Sequence, residues 1–459
     1  MFHSRIHRNI IMTEGPLFRS TLLFALPLML SGLLQLLFNA ADTIVVGRFS
    51  GERALAAVGS VGSLTSLIVN MFLGLSTGTN VVVAQYIGAN DRKGASDAVH
   101  TAVLVSILGG SVLAVIGFVI ARPILMWMDS PADVIDLSVL YVRIIFLGLP
   151  VQMLYNFSAA VLRSVGDTKR PLYFLTTAGV INVILNLIFV VALHMSVAGV
   201  AIATIISQAV SAVLVVRSLM LREDMVHLEL KKLRIKPAIL WEITRIGLPS
   251  GIQSSMFSIS NVLIQSSVNS FGTVAMAGNA AASNICSFVH QGVQSISQTV
   301  TAFAGQNMGA RKPRRILRVM WVCQMWNLVF TGLLGAGSYL MGNSLLSLYN
   351  TDPEVIRLGM ERMLVVNVPY FILGVYDVFS GALRGLGYSL LPMTIALLGI
   401  CALRVVWLST FFKAYPTMTG LMLSYPASWT CTAIVMGLAF LVVFRHAKKQ
   451  FTPQELAAD

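Results

Sequence analysis

Apolar runs of about twenty residues or more recur twelve times along this 459-residue chain, and no other feature limits its fold as much. A run of ~20 apolar residues crosses the hydrocarbon core of a bilayer as a helix, whereas a helix of a soluble domain shows only an apolar stripe. The runs lie at roughly 18–46, 55–83, 98–121, 137–162, 172–193, 198–221, 243–270, 274–303, 318–341, 357–383, 393–412 and 419–444. The longer ones must tilt or emerge from the bilayer. Composition agrees: 56% of residues are hydrophobic and 11% charged, where soluble domains have roughly 45–50% and 25%. The expected fold class is an all-α polytopic membrane protein. The run from Leu17 to Val46 is too long for a signal peptide and reads as a first spanning helix that stays, with Met12 as an alternative start.

Net charge is +13, which in a soluble protein would suggest nucleic acid. Loop asymmetry accounts for it here. With both termini placed in the cytoplasm, 24 Lys and Arg fall on that side, Arg5 and Arg8 among them, against 5 on the other. Lys and Arg collect in cytoplasmic loops, so the count sets the orientation and leaves no nucleic-acid partner to explain. Cys286, Cys323, Cys401 and Cys431 are widely spaced in apolar stretches, which reads as packing rather than metal or disulfide chemistry. No GxxxxGK[ST] or HExxH occurs, and the G-x-S-x-G at Gly74–Gly78 falls inside an apolar run. That leaves neither direct ATP drive nor a catalytic centre, and no metal site or cofactor is expected.

The polar stretch 222–241 separates six spans from six, and reads equally as an amphipathic helix on the inner leaflet or as a solvated connector. It gives lobes at 1–221 and 242–445 and a cytoplasmic tail at 446–459. The two halves are copies at an offset near 221. Pro27 meets Pro249, Asn39 meets Asn261, Gly88-Ala89 meets Gly309-Ala310, Arg163 meets Arg384 and Pro171 meets Pro392. Six spans per copy make the repeats parallel, an arrangement common in transporters that work by alternating access.

Charged groups in hydrocarbon are functional candidates, and three are expected deep: Asp42, Asp377 and Arg404. At ~1.5 Å per residue, Asn182 and Asn186 lie ~16–22 Å into the fifth span. Four residues apart, they share a helix face. Thr204 lies ~9 Å below the outer surface, near Asp42. As the one carboxylate in this group, Asp42 is suited to take or release a proton or to hold Na⁺, against the plain alternative of interhelical hydrogen bonding. Asp377 and Arg404 lie at similar depth and read most simply as an ion pair, with cavity lining as the second reading. Gln35, Gln253 and the 22 methionines suit an adaptable cavity, and Gly74-xxx-Gly78 suits close helix contact.

The pattern Pro27…Phe38-Asn39-Ala-Ala-Asp42-Thr43, the loops starting at Gln85 and Gln306, and the pair LRSVGDTKRP (162–171) and LRGLGYSLLP (383–392) resemble the MATE (multidrug and toxic compound extrusion) family, most nearly its bacterial DinF-like branch. The resemblance implies two pseudo-symmetric six-helix bundles around a central cleft. It also implies H⁺- or Na⁺-coupled antiport of organic, often cationic, compounds from a bacterial inner membrane. Pro27 would be a helix bend and Asp42 the coupling carboxylate, with Asn182, Asn186 and Thr204 beside it. Gln35, Phe38, Asn39, Gln253, Asp377 and Arg404 would be cleft candidates. The family's archaeal-type site has an acid where Asn186 stands and a tyrosine where Phe38 stands. Expected partners are drug-like small molecules and membrane lipids, with the chain acting as a monomer. Rival readings are a lipid-linked oligosaccharide flippase of the same superfamily and a non-transporting receptor or scaffold.

Overall fold

The computed structural model describes residues 10–128, 134–449, 451–452 and 455. Arg5, His7, Arg8 and most of the tail beyond 449 lie outside the described residues. Helices follow one another in twelve passages: α1 (Leu17–Phe49), α2 (Gly51–Ser60 and Gly62–Gly88), α3 (Arg92–Trp127), α4 (Ile135–Leu147 and Leu149–Ser164), α5 (Lys169–Ala192), α6 (Ser196–Met220), α7 (Pro237–Asn269), α8 (Thr273–Gly309), α9 (Pro313–Leu340), α10 (Pro353–Gly385), α11 (Leu390–Ala414) and α12 (Met418–Lys448). Each expected span is helical. Among the described residues, nine are long and apolar enough to cross a membrane alone. The two segments of α4 make a tenth, bent by 45° beside Pro150, which cannot donate to the helix ladder. The polar α7 and α8 complete the twelve. On α3 the side chains of Val115 and Val119 are each 66% exposed, as lipid-facing positions should be.

Three helices widen locally through i→i+5 bonds. Leu193 N–H donates to Ile188 O in α5, Leu403 N–H to Leu398 O in α11, and Val368 N–H to Met363 O in α10, just before Pro369. Such turns let a long helix absorb an extra residue or a proline and are frequent near functional sites.

By its contacts the chain forms two compact units. One comprises Leu30–Gly251, the other Ile11–Met29 together with the chain from Ile252 onward. α1 and α7 each change unit two residues after their internal proline, Pro27 and Pro249. The first unit packs around Phe72, Phe146, Phe157 and Leu162. Within it, Gly74 and Gly78 of α2 face Gly247 and Gly251 of α7. A Cβ on Gly78 would lie 2.1 Å from Ile243 O, and one on Gly74 2.3 Å from Gly251 Cα. The GxxxG spacing therefore serves direct backbone contact, and α7 answers it with a second GxxxG.

The duplication is visible in the backbone. Gly51, Asn90 and Gly166 have positive φ, and so do Gly272, Arg311 and Gly387, each 221 positions later. Turn bonds repeat as well: Asp91 N–H to Tyr86 O and Lys312 N–H to Asn307 O, or Asp167 N–H to Leu162 O and Tyr388 N–H to Leu383 O. Even a side-chain lock recurs, with Asn80 donating to Ala160 O in one copy and Thr301 to Gly381 O in the other.

The connector corrects an expectation. No amphipathic helix forms between α6 and α7, only a single turn at Leu230–Lys232, and it is not a solvated strand of chain either. Val226 and Leu228 are fully buried. Leu228 N–H donates to Leu219 O, Glu229 N–H to His100 Nε2 and Lys236 N–H to Thr101 Oγ1. Arg222 pairs with Asp167, and Arg234 with Asp97. The backbone finds its partners on α3 and α6, so it has no need of a helix of its own.

Candidate ion and substrate site

Four helix positions converge inside the first unit. Asn186 donates through Nδ2 to Asp42 Oδ1 and to Asn182 Oδ1 at 3.2 Å. Asn182 Nδ2 donates to Thr204 Oγ1 at 3.4 Å, and Thr204 to Val200 O at 2.9 Å. Thr204 is also within hydrogen-bond reach of the Asp42 carboxyl. The offset of four residues puts both asparagines of α5 on one face, and α5 widens immediately after Asn186. Asn186 is fully buried and Asn182 nearly so, while Asp42 and Thr204 are half-buried.

The bonding leaves one atom over. Both amide protons of Asn186 are used, but its Oδ1 has no hydrogen-bond partner among the described residues. A buried orphan acceptor costs roughly 1–3 kcal/mol. The Nδ2 of the same amide faces the oxygens of Asp42 and Asn182, and Thr204 Oγ1 adjoins Asn182. Hard cations are bound by such oxygen sets. Tyr141 of α4, which sequence reasoning passed over, lies within electrostatic reach of Asp42; nothing in its spacing marked it.

The remaining candidates scatter. On α1, Gln35 and Asn39 are exposed, and the ring of Phe38 packs over Gly179 of α5. Pro27 lies inside α1, which stays helical from Leu17 to Phe49. Gln253 is buried and donates to Tyr376 and Ser380.

Asp377 and Arg404 do not pair, which overturns the ion-pair reading. Arg404, 1% exposed, donates to Ser428 Oγ at 3.3 Å, Ser260 Oγ at 3.0 Å and Asn261 Oδ1 at 3.3 Å, and lies 4.2 Å over the Tyr425 ring. Asp377 has Arg384 as its charged neighbour. Depth along two helices had matched them, but their faces differ. A fourth charged group is also deep: Arg362 is only 4% exposed.

The repeat explains the Arg404 cluster. At offsets of 221–222, Arg404 stands where Asn182 stands, Tyr425 where Thr204 stands, Asn261 where Asn39 stands and Ile264 where Asp42 stands. The same three helices of each copy thus build a polar cluster, one around a carboxylate and the other around a guanidinium.

Comparison with known proteins agrees with this duplicated architecture. The MatE family profile matches residues 27–188 and 249–408, once in each half. The chain is 29% identical to the multidrug resistance protein YoeA of Bacillus subtilis over 452 residues, 96% of each protein. It is 26% identical to the multidrug resistance protein NorM of Thermotoga maritima, covering 85% of each. A FAD transporter of Shewanella oneidensis is 25% identical over 93% of this chain and 94% of its own. Among solved structures, an outward-facing multidrug resistance MATE transporter of the MOP superfamily superposes with a TM-score of 0.90 at 20% identity, over 97% of this chain and 100% of that one. A MATE crystallised in a bent conformation also gives 0.90, at 20% identity over 97% and 99%. With its halves each matching the profile and its twelve helices in two bundles, the chain belongs to the MATE family and is a membrane transporter, not an enzyme.

Proposed function

We propose that this transporter exports organic, drug-like compounds, cations among them, in exchange for H⁺ or Na⁺, with Asp42 as the coupling group. The half-buried Asp42 carboxyl bonded to Asn186, a buried amide whose Oδ1 has no partner, carries this reading. A proton on Asp42 would supply a donor to this cluster, and Na⁺ would be ligated by its oxygens. Either occupant adds a partner to a buried cluster that holds an orphaned acceptor. Asn182, Asn186 and Thr204 offer only dipoles, so the change of charge that exchange requires falls to Asp42. We place the protein in a bacterial cytoplasmic membrane with both termini inside, acting as a single chain among lipids.

The test is exchange in proteoliposomes, where an imposed H⁺ or Na⁺ gradient drives uptake of a fluorescent organic cation. Asp42→Asn keeps the side chain's shape and should express normally while losing gradient-driven exchange. Transport by Asp42→Asn at the parental rate would make the cluster interhelical glue and the reading wrong.

A further inference from the structure

The interior of the second unit collects cationic and donor groups without a matching anion. Arg404 of α11 and Arg362 of α10 are both buried, and among the described residues neither forms an ion pair. Arg362 lies against the Cys286 thiol, yet its Nε and one terminal nitrogen find no acceptor, and neither does Nε1 of Trp429, which is 2% exposed. An aromatic chain links these donors. Arg404 covers Tyr425, Tyr425 meets Trp429 at 5.6 Å between ring centroids, and Trp429 meets Tyr370 at 5.1 Å. Tyr370 in turn lies within electrostatic reach of both arginines.

An orphaned acceptor calls for a proton or a cation, whereas orphaned N–H groups beside uncompensated guanidinium charge call for an anion. Asp377 is the one carboxylate that Tyr370 senses, but its own charged neighbour is Arg384. Two orphaned acceptors lie five residues from these donors in sequence, Asn367 Oδ1 from Arg362 and Ser424 Oγ from Trp429, and neither is bonded to them. A planar guanidinium presents its donors in a fork that fits a carboxylate, and the surrounding rings favour an aromatic body.

We propose that Arg404, Arg362 and Trp429 form an anion-binding site inside the second unit, one that takes the carboxylate of an aromatic acid or a small inorganic anion. It stands independently of the coupling role of Asp42, which belongs to the other unit.

Purified protein in lipid nanodiscs is titrated by calorimetry with 2-naphthoate, with 2-naphthylmethylammonium as a cation of matched size, and with chloride against a gluconate background. Saturable binding of naphthoate or chloride is expected, with the ammonium far weaker at this site. Naphthoate binding that chloride cannot displace identifies an organic acid, and binding of chloride alone identifies an inorganic counter-ion. Arg404→Gln and Arg362→Gln should each weaken the anion by about ten- to a hundredfold, as loss of a charged hydrogen bond does. Trp429→Phe keeps the ring and removes one donor. It should weaken binding severalfold and serves where an arginine variant fails to fold. The proposal fails if neither anion binds saturably, if the matched ammonium displaces the anion as well as the anion itself does, or if anion affinity is unchanged in folded Arg404→Gln or Trp429→Phe protein.

Discussion

At the scale of single residues, the two polar clusters show how a few substitutions in a repeat reverse a site's polarity: Ile264 stands where Asp42 stands, and Arg404 where Asn182 stands. Asn182 donates to Thr204, while Arg404, 222 positions on, gathers Ser260, Asn261 and Ser428 around a fixed charge. Removing a buried group that others have bonded costs more than the bond itself, because the abandoned partners stay buried. Arg404→Ala should therefore destabilise the protein. Since Asp377 is no partner of Arg404, the double variant Asp377→Ala/Arg404→Ala should add the two single losses, within about 0.5 kcal/mol in thermal unfolding. A double variant much more stable than that sum would restore the ion pair the structure lacks. The Asp42 cluster was legible in the sequence because helix rise and a four-residue offset fix both depth and face. Arg404 was misassigned because rise alone gives depth and says nothing of the direction in which a side chain leaves its helix.

At the scale of elements, close helix contact and tail docking each carry a prediction. Gly78→Val places new atoms where a Cβ alone would already lie 2.1 Å from Ile243 O. α2 and α7 must part, and stability should fall by about 1–3 kcal/mol or more. Gly337 of α9 meets nothing within 4 Å, so Gly337→Ala should instead stabilise by about 0.5–1 kcal/mol through helix propensity and reduced freedom of the unfolded chain. Melting temperatures in one detergent compare the pair; equal losses at both sites would mean that glycine matters here for something other than contact. The tail is held differently. Arg311 donates to Glu455 and covers Phe451 at 5.5 Å, and these hydrogen bonds lower the Glu455 carboxyl from 4.5 to about 2. A depressed carboxylate contributes docking that is complete above its unfolded value and is lost as pH falls through its folded one. A spin label at Thr452 should stay immobile down to about pH 4.5 and become mobile toward pH 2; release already at pH 6 would assign the docking to another group. The spans were legible because ~20 apolar residues have one economical structure in lipid. The connector was not, because its burial comes from acceptors and apolar hollows on α3 and α6 that its own composition does not reveal.

At the scale of the whole molecule, the repeat and the basic loops make one statement about sidedness. An even number of spans per copy puts equivalent loops of the two copies on the same side of the membrane. Within the first unit, the connector is tied to the start of α3 through Asp97, His100 and Thr101 and to the α4–α5 loop through Asp167, so these segments share one end. Within the second, Asn307 and Arg315 hold the backbone of Met12, and Arg311 holds Glu455. Met12 and Glu455 therefore lie at the end that carries the α8–α9 loop. These are the loops in which Lys and Arg accumulate, and the proposed orientation puts them on the cytoplasmic side. Single cysteines at Lys93, Lys169 and Arg314, all exposed, should then react with a membrane-impermeant maleimide only after cells are opened. Cysteines at Glu52 and Asp352, also exposed, should react in intact cells. Uniform reversal of the two sets would keep the duplicated architecture and invert its orientation. Reaction of Lys93 and Arg314 from opposite sides would break the parallel repeat itself, because 221 positions separate these segments and the same backbone turn closes both.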